Sequence, residues 1–181
     1  MATKGVPGER LAGLREFTQE FDQPLYDFIF YMVGSPTEAE DLALSTFREF
    51  GHHWGHLFRG RGEPREPFEA RIRLFRVAWS KVHGHMVASH ALWPAGRDTR
   101  RAVDGEKNLL IAADGAGVGE LVVARLGSID PDFRAALVLR DMLGIEDEQV
   151  VRILGLRWGV YRHRLHRARL DLLDGLRGGA A

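Results

Sequence analysis

From Glu146 to Leu173 the chain carries a pattern that few folds accept. A short segment with one apolar side is followed by a glycine, an apolar plug and a longer segment dense in arginine. Val150, Val151, Ile153 and Leu154 give the first segment its apolar side. Glu146, Asp147 and Glu148 stand at its start, where a helix dipole favours negative charge. Gly155 ends it, Leu156 fills the turn, and a last helix is expected from Trp158 to about Leu173, with Tyr161, Leu165 and Ala168 packed inward. Two helices joined in this way form a helix-turn-helix. The first braces the second at a steep angle, and the second has the width of a DNA major groove. Arg152 to Arg169 contains six arginines and no acid, which favours DNA contact over a merely solvated cationic face. The residues expected at DNA are Arg157, Trp158, Arg162, His163, Arg164 and Arg167.

Upstream, helix signals recur and strand signals are weak. Glu120–Leu126 reads as a short helix. Asp130 caps another, with Pro131 at its first position, Phe133, Leu137 and Met142 facing inward and Gly144 at its end. Nearer the start, Asp22, Pro24 and the run from Leu25 to Val33 suggest a helix ending near Gly34. Ser35-Pro36-Thr37-Glu38 reads as a capping box, with Glu38 reaching back to the cap amide. Behind it Ala39, Leu42, Ala43, Thr46, Phe47, Phe50 and Trp54 keep helical spacing, and Glu38, Asp41, Arg48 and Glu49 fall largely off that stripe. Gly55 to Pro67, rich in glycine and proline, reads as a loop. Phe68 to about Val87 is again helical, with Phe68, Ile72, Phe75, Trp79, Val82 and Met86 on one side. Trp54 and Trp79 are expected in the core rather than stacked on bases.

These elements predict an all-α protein of two small helical modules, residues 1–92 and 117–181. They are joined by a glycine- and charge-rich flexible linker, 93–116, with a short helical turn at Lys107–Ala113. Lys and Arg number 4 against 9 Asp and Glu over residues 1–51, so the first third is acidic and suits a protein partner better than nucleic acid. No apolar run approaches the roughly 20 residues of a membrane span, and the start lacks the apolar core of a secretory signal, so a cytoplasmic protein without membrane insertion is expected. Cysteine is absent, which excludes disulfides and thiolate chemistry. His52, His53 and His56 have metal-ligand spacing, but no carboxylate lies nearby in sequence to complete a site; no metal and no cofactor are expected. Gly115, Gly117 and Gly119 follow no strand and do not make a dinucleotide fingerprint. With no nucleophile-elbow or zinc-protease motif and no sign of a triad, an enzyme is not expected.

The stretch Glu148-Gln149-Val150-Val151-Arg152-Ile153-Leu154-Gly155-Leu156, with Gly159 and Arg164-Leu165-His166-Arg167-Ala168-Arg169, resembles the second DNA-binding region of extracytoplasmic-function sigma factors, the group 4 members of the sigma-70 family. That region usually reads like EEIAEILGIPVGTVKSRLHRAR. Leu126 to Arg134 and Leu139-Arg140-Asp141 are similar to the helix before it, and Ala39-Glu40-Asp41-Leu42-Ala43-Leu44-Ser45-Thr46-Phe47 is similar to the family's AEDLTQEVF segment. The resemblance implies a sigma region 2-like three-helix bundle and a region 4-like helix-turn-helix. It also implies core RNA polymerase and promoter DNA as partners, an anti-sigma factor as inhibitor, and a role in transcription initiation. On that reading Glu38, Glu40, Asp41 and Leu44 meet the polymerase. The basic loop with Phe58, Arg59, Arg61 and Arg65 takes single-stranded promoter DNA, which the combination of an aromatic with cations also suits. The chain departs from the family at Leu44, usually glutamine; at Ser80, usually asparagine in the promoter-melting helix; at Val151 and Val160; and at Arg157, which replaces the usual helix cap. A sigma-derived DNA-binding regulator, or a polymerase-binding adaptor that does not melt promoters, stays open beside the sigma-factor reading.

Overall fold

Local chemistry sets the helix boundaries of the N-terminal half in this computed structural model, which describes residues 7–59, 63–64, 67–91 and 118–178, with side-chain surroundings given within 12–52, 68–88 and 122–176. Helix α1, Pro7–Val33, ends at Gly34, whose φ of 75° is open to glycine at little cost. Helix α2, Pro36–Leu57, starts with proline at its first position, and the Glu38 amide donates to Ser35 Oγ at 3.4 Å. The other half of the expected capping box does not form, because the Glu38 carboxylate lies 3.4 Å from His85 Nε2 instead. α1 also begins far upstream of Asp22 and carries Pro24 inside it. Proline forfeits one helical hydrogen bond, and the burial of Leu25, Phe28, Ile29 and Met32 immediately after it holds the helix through that loss.

Helix α2 runs through Gly55, so the expected loop starts later. Phe58–Arg59 (β1) pairs antiparallel with Glu63–Pro64 (β2) in a two-residue ladder, Phe58 opposite Pro64 and Arg59 opposite Glu63. Helix α3 follows at Pro67–Ala91. The three helices share a core of Phe17, Leu25, Phe28, Ile29 and Met32 from α1, Ala39, Ala43 and Phe50 from α2, and Ile72, Phe75 and Val82 from α3. Phe28 meets Phe75 edge-on with ring centres 5.9 Å apart, and Phe17 stacks on Phe50 at 5.3 Å. Thr46, buried among them, donates its hydroxyl to Leu42 O at 2.7 Å. Trp79 is half-buried against this core, as expected, whereas Phe68 stays 41% exposed.

Four further helices complete the described chain: α4, Val118–Gly127; α5, Pro131–Leu137, continued by a single π-helical turn, Val138–Met142; α6, Asp147–Leu154; and α7, Trp158–Gly178. Asp130 caps α5 by accepting from the Asp132 amide at 2.9 Å. The linker 93–116, with the helical turn expected at Lys107–Ala113, lies outside the described residues, as do the side chains of Trp54, His53 and His56.

The described residues are all-α apart from the short ladder, and the two helical sets do not stand apart. α3 lies along α6, and α1 contacts α4 and the π turn. One apolar cluster runs through both sets, which explains why Leu74 and Ala78, off the expected stripe of α3, are fully buried. Arg134 of α5 is 6% exposed; its guanidinium donates to Met32 O at the end of α1, to Gly127 O at 2.8 Å and to Ile129 O at 2.9 Å. Burial pushes the Arg134 pKa down to about 10, with Asp130 pulling it back up, so the side chain is still charged at neutral pH.

Candidate nucleic-acid interface

The turn between α6 and α7 is built as the sequence reading expects. Gly155 adopts φ 66°, and the Leu156 amide bonds back to Val151 O at 3.0 Å, closing a Schellman-type end that lets the chain reverse. Gly155→Ala is expected to cost about 1–2 kcal/mol, since a Cβ is strained in this conformation. Urea denaturation with an unchanged slope checks it.

Helix α7 is oriented by Tyr161, Leu165 and Ala168, all buried at its α5-facing side. Tyr161 is anchored further: its hydroxyl donates to Asp147 Oδ1 at 2.6 Å, and Asp147 also receives Arg140 at 2.6 Å. Burial, reinforced by the Asp147 bond, holds the phenol in its neutral form well above the usual tyrosine range. A raised phenol pKa contributes stability that is complete below the ordinary value of about 10 and is lost as pH rises past it. Tyr161→Phe is therefore expected to cost about 1 kcal/mol at neutral pH and to flatten the loss of stability above pH ~10. Thermal melts across pH measure both effects.

The six arginines of the motif fall into two groups. The side chains of Arg157 and Arg162 are exposed and have no ion-pair or hydrogen-bond partner among the described residues. Trp158, 47% exposed, stands beside them with its ring 5.7 Å from that of Tyr161. His163 is exposed, edge-on to Phe133 at 6.1 Å. The others are engaged within the protein, contrary to the expectation of a free cationic face. Arg164 pairs with Asp132 at 2.9 Å on one flank of the buried stripe. Arg169 makes two bonds to Asp141, at 2.6 and 2.7 Å, on the other. Arg167 pairs with Asp171 one turn on, at 3.1 Å, and Arg152 grips Glu69 of α3 at 2.6 Å while its guanidinium lies 5.4 Å from the Phe68 ring centre. The sequence stretch was acid-free, but folding brings carboxylates to it from α3, α5 and the π turn, and Asp171 reaches back from one turn further along α7. The Arg152, Arg167 and Arg169 guanidinium groups are largely solvent-exposed, so each of their pairs is worth only about 0–1 kcal/mol, whereas Arg164, with a side chain 21% exposed, is held more deeply.

The residues expected to meet a polymerase lie together on α2. Glu38, Glu40 and Asp41 are exposed, and Leu44 is 64% exposed on the same surface. Of the basic loop, only the backbone of Phe58 and Arg59 is described; Arg61 and Arg65 lie outside the described residues. His52 is exposed near the end of α2, and no metal-binding group of His, Asp and Glu occurs among the described residues. No described helix is long and apolar enough to cross a membrane. Sequence reasoning missed the carboxylates Asp132, Asp141 and Glu69 as partners of the arginines. Only Asp132 and Asp141 carried a signal, from their placement on the helix expected immediately before the motif.

An N-terminal helical bundle packed on a helix-turn-helix module is the class of fold these elements define. That fold is shared with the solved structure of CnrH in complex with the cytosolic domain of CnrY (TM-score 0.62, 19% identity, 94% of this chain and 97% of that one). It is shared equally with the sigma factor RpoE in complex with the anti-sigma factor NepR from Bartonella quintana (TM-score 0.62, 19% identity, 90% of this chain and 98% of that one). In sequence, the chain is 42% identical over 57 residues to the ECF RNA polymerase sigma factor SigE of Mycolicibacterium smegmatis, a match that takes in 32% of this chain and 22% of that relative. The chain thus spans only about a fifth of the curated relative it matches. No protein-family profile matches it.

Proposed function

We propose that the chain is an RNA polymerase sigma factor of the extracytoplasmic-function type, which binds core polymerase and directs promoter-specific transcription initiation. Residues 1–92 act as the polymerase-binding module, with Glu38, Glu40, Asp41 and Leu44 at the contact and Phe58, Arg59, Arg61 and Arg65 at the melted strand. Residues 93–116 are the linker, and residues 117–181 dock on promoter DNA. Arg157, Trp158, Arg162 and His163 make the first contacts, and Arg164 and Arg167 join them once their internal pairs open. The observation that carries this reading is the inward-facing stripe Tyr161, Leu165 and Ala168, which leaves Arg162 outward on the second helix of the motif, with Arg157 exposed immediately before it. Fold likeness to RpoE over 90% of the chain supports it. That relative was solved with its anti-sigma factor, and an inhibitor of that kind is the partner proposed here. The protein works in the cytoplasm, as a specificity factor rather than an enzyme, and needs no cofactor.

Run-off transcription with core polymerase, on duplexes enriched by the protein itself, tests the proposal. Specific transcripts are expected, and failure on every such duplex overturns it. Ser80, exposed on α3 where the resemblance implies asparagine, favours a second reading: a sigma-derived regulator or adaptor that does not melt promoters. A permanganate-reactive bubble excludes that reading.

A further inference from the structure

Helix α7 turns Tyr161, Leu165 and Ala168 inward. About half a turn round the helix from them lie Gly159, His163, His166 and Leu170, all exposed. Two histidines therefore stand at the middle of the face turned furthest from the core. Arg162 and Arg167 flank that line, one on each side. The middle of such a face goes deepest into a major groove, where guanine offers the acceptors N7 and O6, and the flanks meet phosphates. His163 is among the DNA contacts expected from the sequence. His166 is not, and the geometry adds it.

The arginines further along the helix are held by carboxylates of the protein: Arg164 by Asp132, Arg167 by Asp171 and Arg169 by Asp141. Neither His163 nor His166 has an ion-pair partner among the described residues. From α5, Phe133 meets His163 edge-on with ring centres 6.1 Å apart, and the adjacent Asp132 is taken by Arg164 at 2.9 Å. Asp132 also lies 3.8 Å from His83 of α3. One turn away on α7 itself stand Arg162, Arg167 and Arg169. No described carboxylate thus supplies the negative charge that an imidazolium needs, whereas a duplex does. An imidazolium carries two donors and no acceptor, while neutral imidazole carries one of each. Guanine acceptors and the phosphate field both favour the charged form. We propose that His163 and His166 dock on the acceptor edges of the duplex as imidazolium cations, so that DNA binding takes up protons. The inference rests on the DNA-docking reading above and deepens it. A histidine that holds its proton more tightly in the complex adds affinity that is complete below the ordinary value of about 6.5 and is lost as pH rises past the value in the complex.

The test uses the full chain and a duplex enriched by the protein itself. Calorimetric titrations at about pH 7, in two buffers of different ionisation enthalpy, count the protons taken up. About one per chain is expected if the duplex tightens each histidine's hold on its proton about tenfold. Affinity, read by fluorescence anisotropy at constant ionic strength, is expected to rise at least about tenfold from about pH 8 to about pH 6. His163→Asn/His166→Gln keeps hydrogen-bonding groups but takes no proton. It is expected to cut that rise to under about threefold, and each substitution alone to remove about half of it on a logarithmic scale. Both side chains are exposed, so the melting temperature should be retained. His83→Asn, which removes the histidine beside Asp132, is expected to keep the full rise. Binding of the unmodified chain without proton uptake overturns the inference. So does a double variant that still gains the full affinity with acid, or a His83→Asn chain that gains none. Failure to enrich any duplex has a different meaning, since it removes the docking reading itself.

Discussion

Replacing Arg157 and Arg162 together by alanine is expected to lower affinity for a promoter duplex by about two orders of magnitude, from ~1–3 kcal/mol at each contact. Fold stability should stay near that of the parent chain. Both side chains are exposed and make no internal ion pair among the described residues, so their removal leaves no carboxylate stranded. Arg164→Ala makes the contrast. It frees Asp132, which lies 3.8 Å from His83 as well, and trades a DNA contact against an internal one. Its loss of affinity is therefore expected to be the smaller. Fluorescence anisotropy on a duplex enriched by the protein itself measures both. Unchanged binding by the Arg157/Arg162 variant removes α7 from the DNA interface.

Arg134→Met is expected to destabilise the fold by about 3–5 kcal/mol, among the largest effects open to a single substitution in this chain. The guanidinium satisfies Met32 O, Gly127 O and Ile129 O together, and a thioether donates to none of them. Burying an arginine is costly, and burial already pulls its pKa down to about 10, but removing it leaves two or more enclosed carbonyls without a donor. Lysine does not rescue, since one ammonium cannot reproduce a planar fork reaching both the end of α1 and the turn after α4. A loss of this size lowers the melting temperature by roughly 6–20 °C in a chain of this length. Calorimetry reads it, and a change under 1 °C would mean that the three carbonyls find other donors.

Much of the fold was legible in the sequence because its signals are local. Ser35 and Pro36, Asp130 and Pro131, and Gly155 each fix a helix end through contacts within a few residues. The inward stripe of α7 was legible for the same reason, since the helical period alone places Tyr161, Leu165 and Ala168 on one side. What could not be read was long-range. The full burial of Leu74 and Ala78 depends on covering by the second helical set, and the Arg134 bond to Met32 O joins residues 102 apart. The candidate interface suffered most. Counting arginines without acids in one segment says nothing of Asp132, Asp141 or Glu69, which lie far off in sequence and meet those arginines only after folding. Pro24 misled in the opposite sense: the local rule starts a helix there, whereas α1 begins at Pro7 and tertiary packing carries it through the proline.

The carboxylates clasping Arg152, Arg164, Arg167 and Arg169 bear on how the protein responds to ionic strength. Added electrolyte weakens attraction to phosphates, but it also loosens the clasps that compete for the same guanidinium groups. The two effects oppose each other, so the logarithmic fall of DNA affinity with salt should be shallower than a tally of cationic side chains on α7 implies. A titration from dilute to concentrated potassium chloride would then show a gentle slope, steepening once Asp132 and Asp141 are made neutral amides.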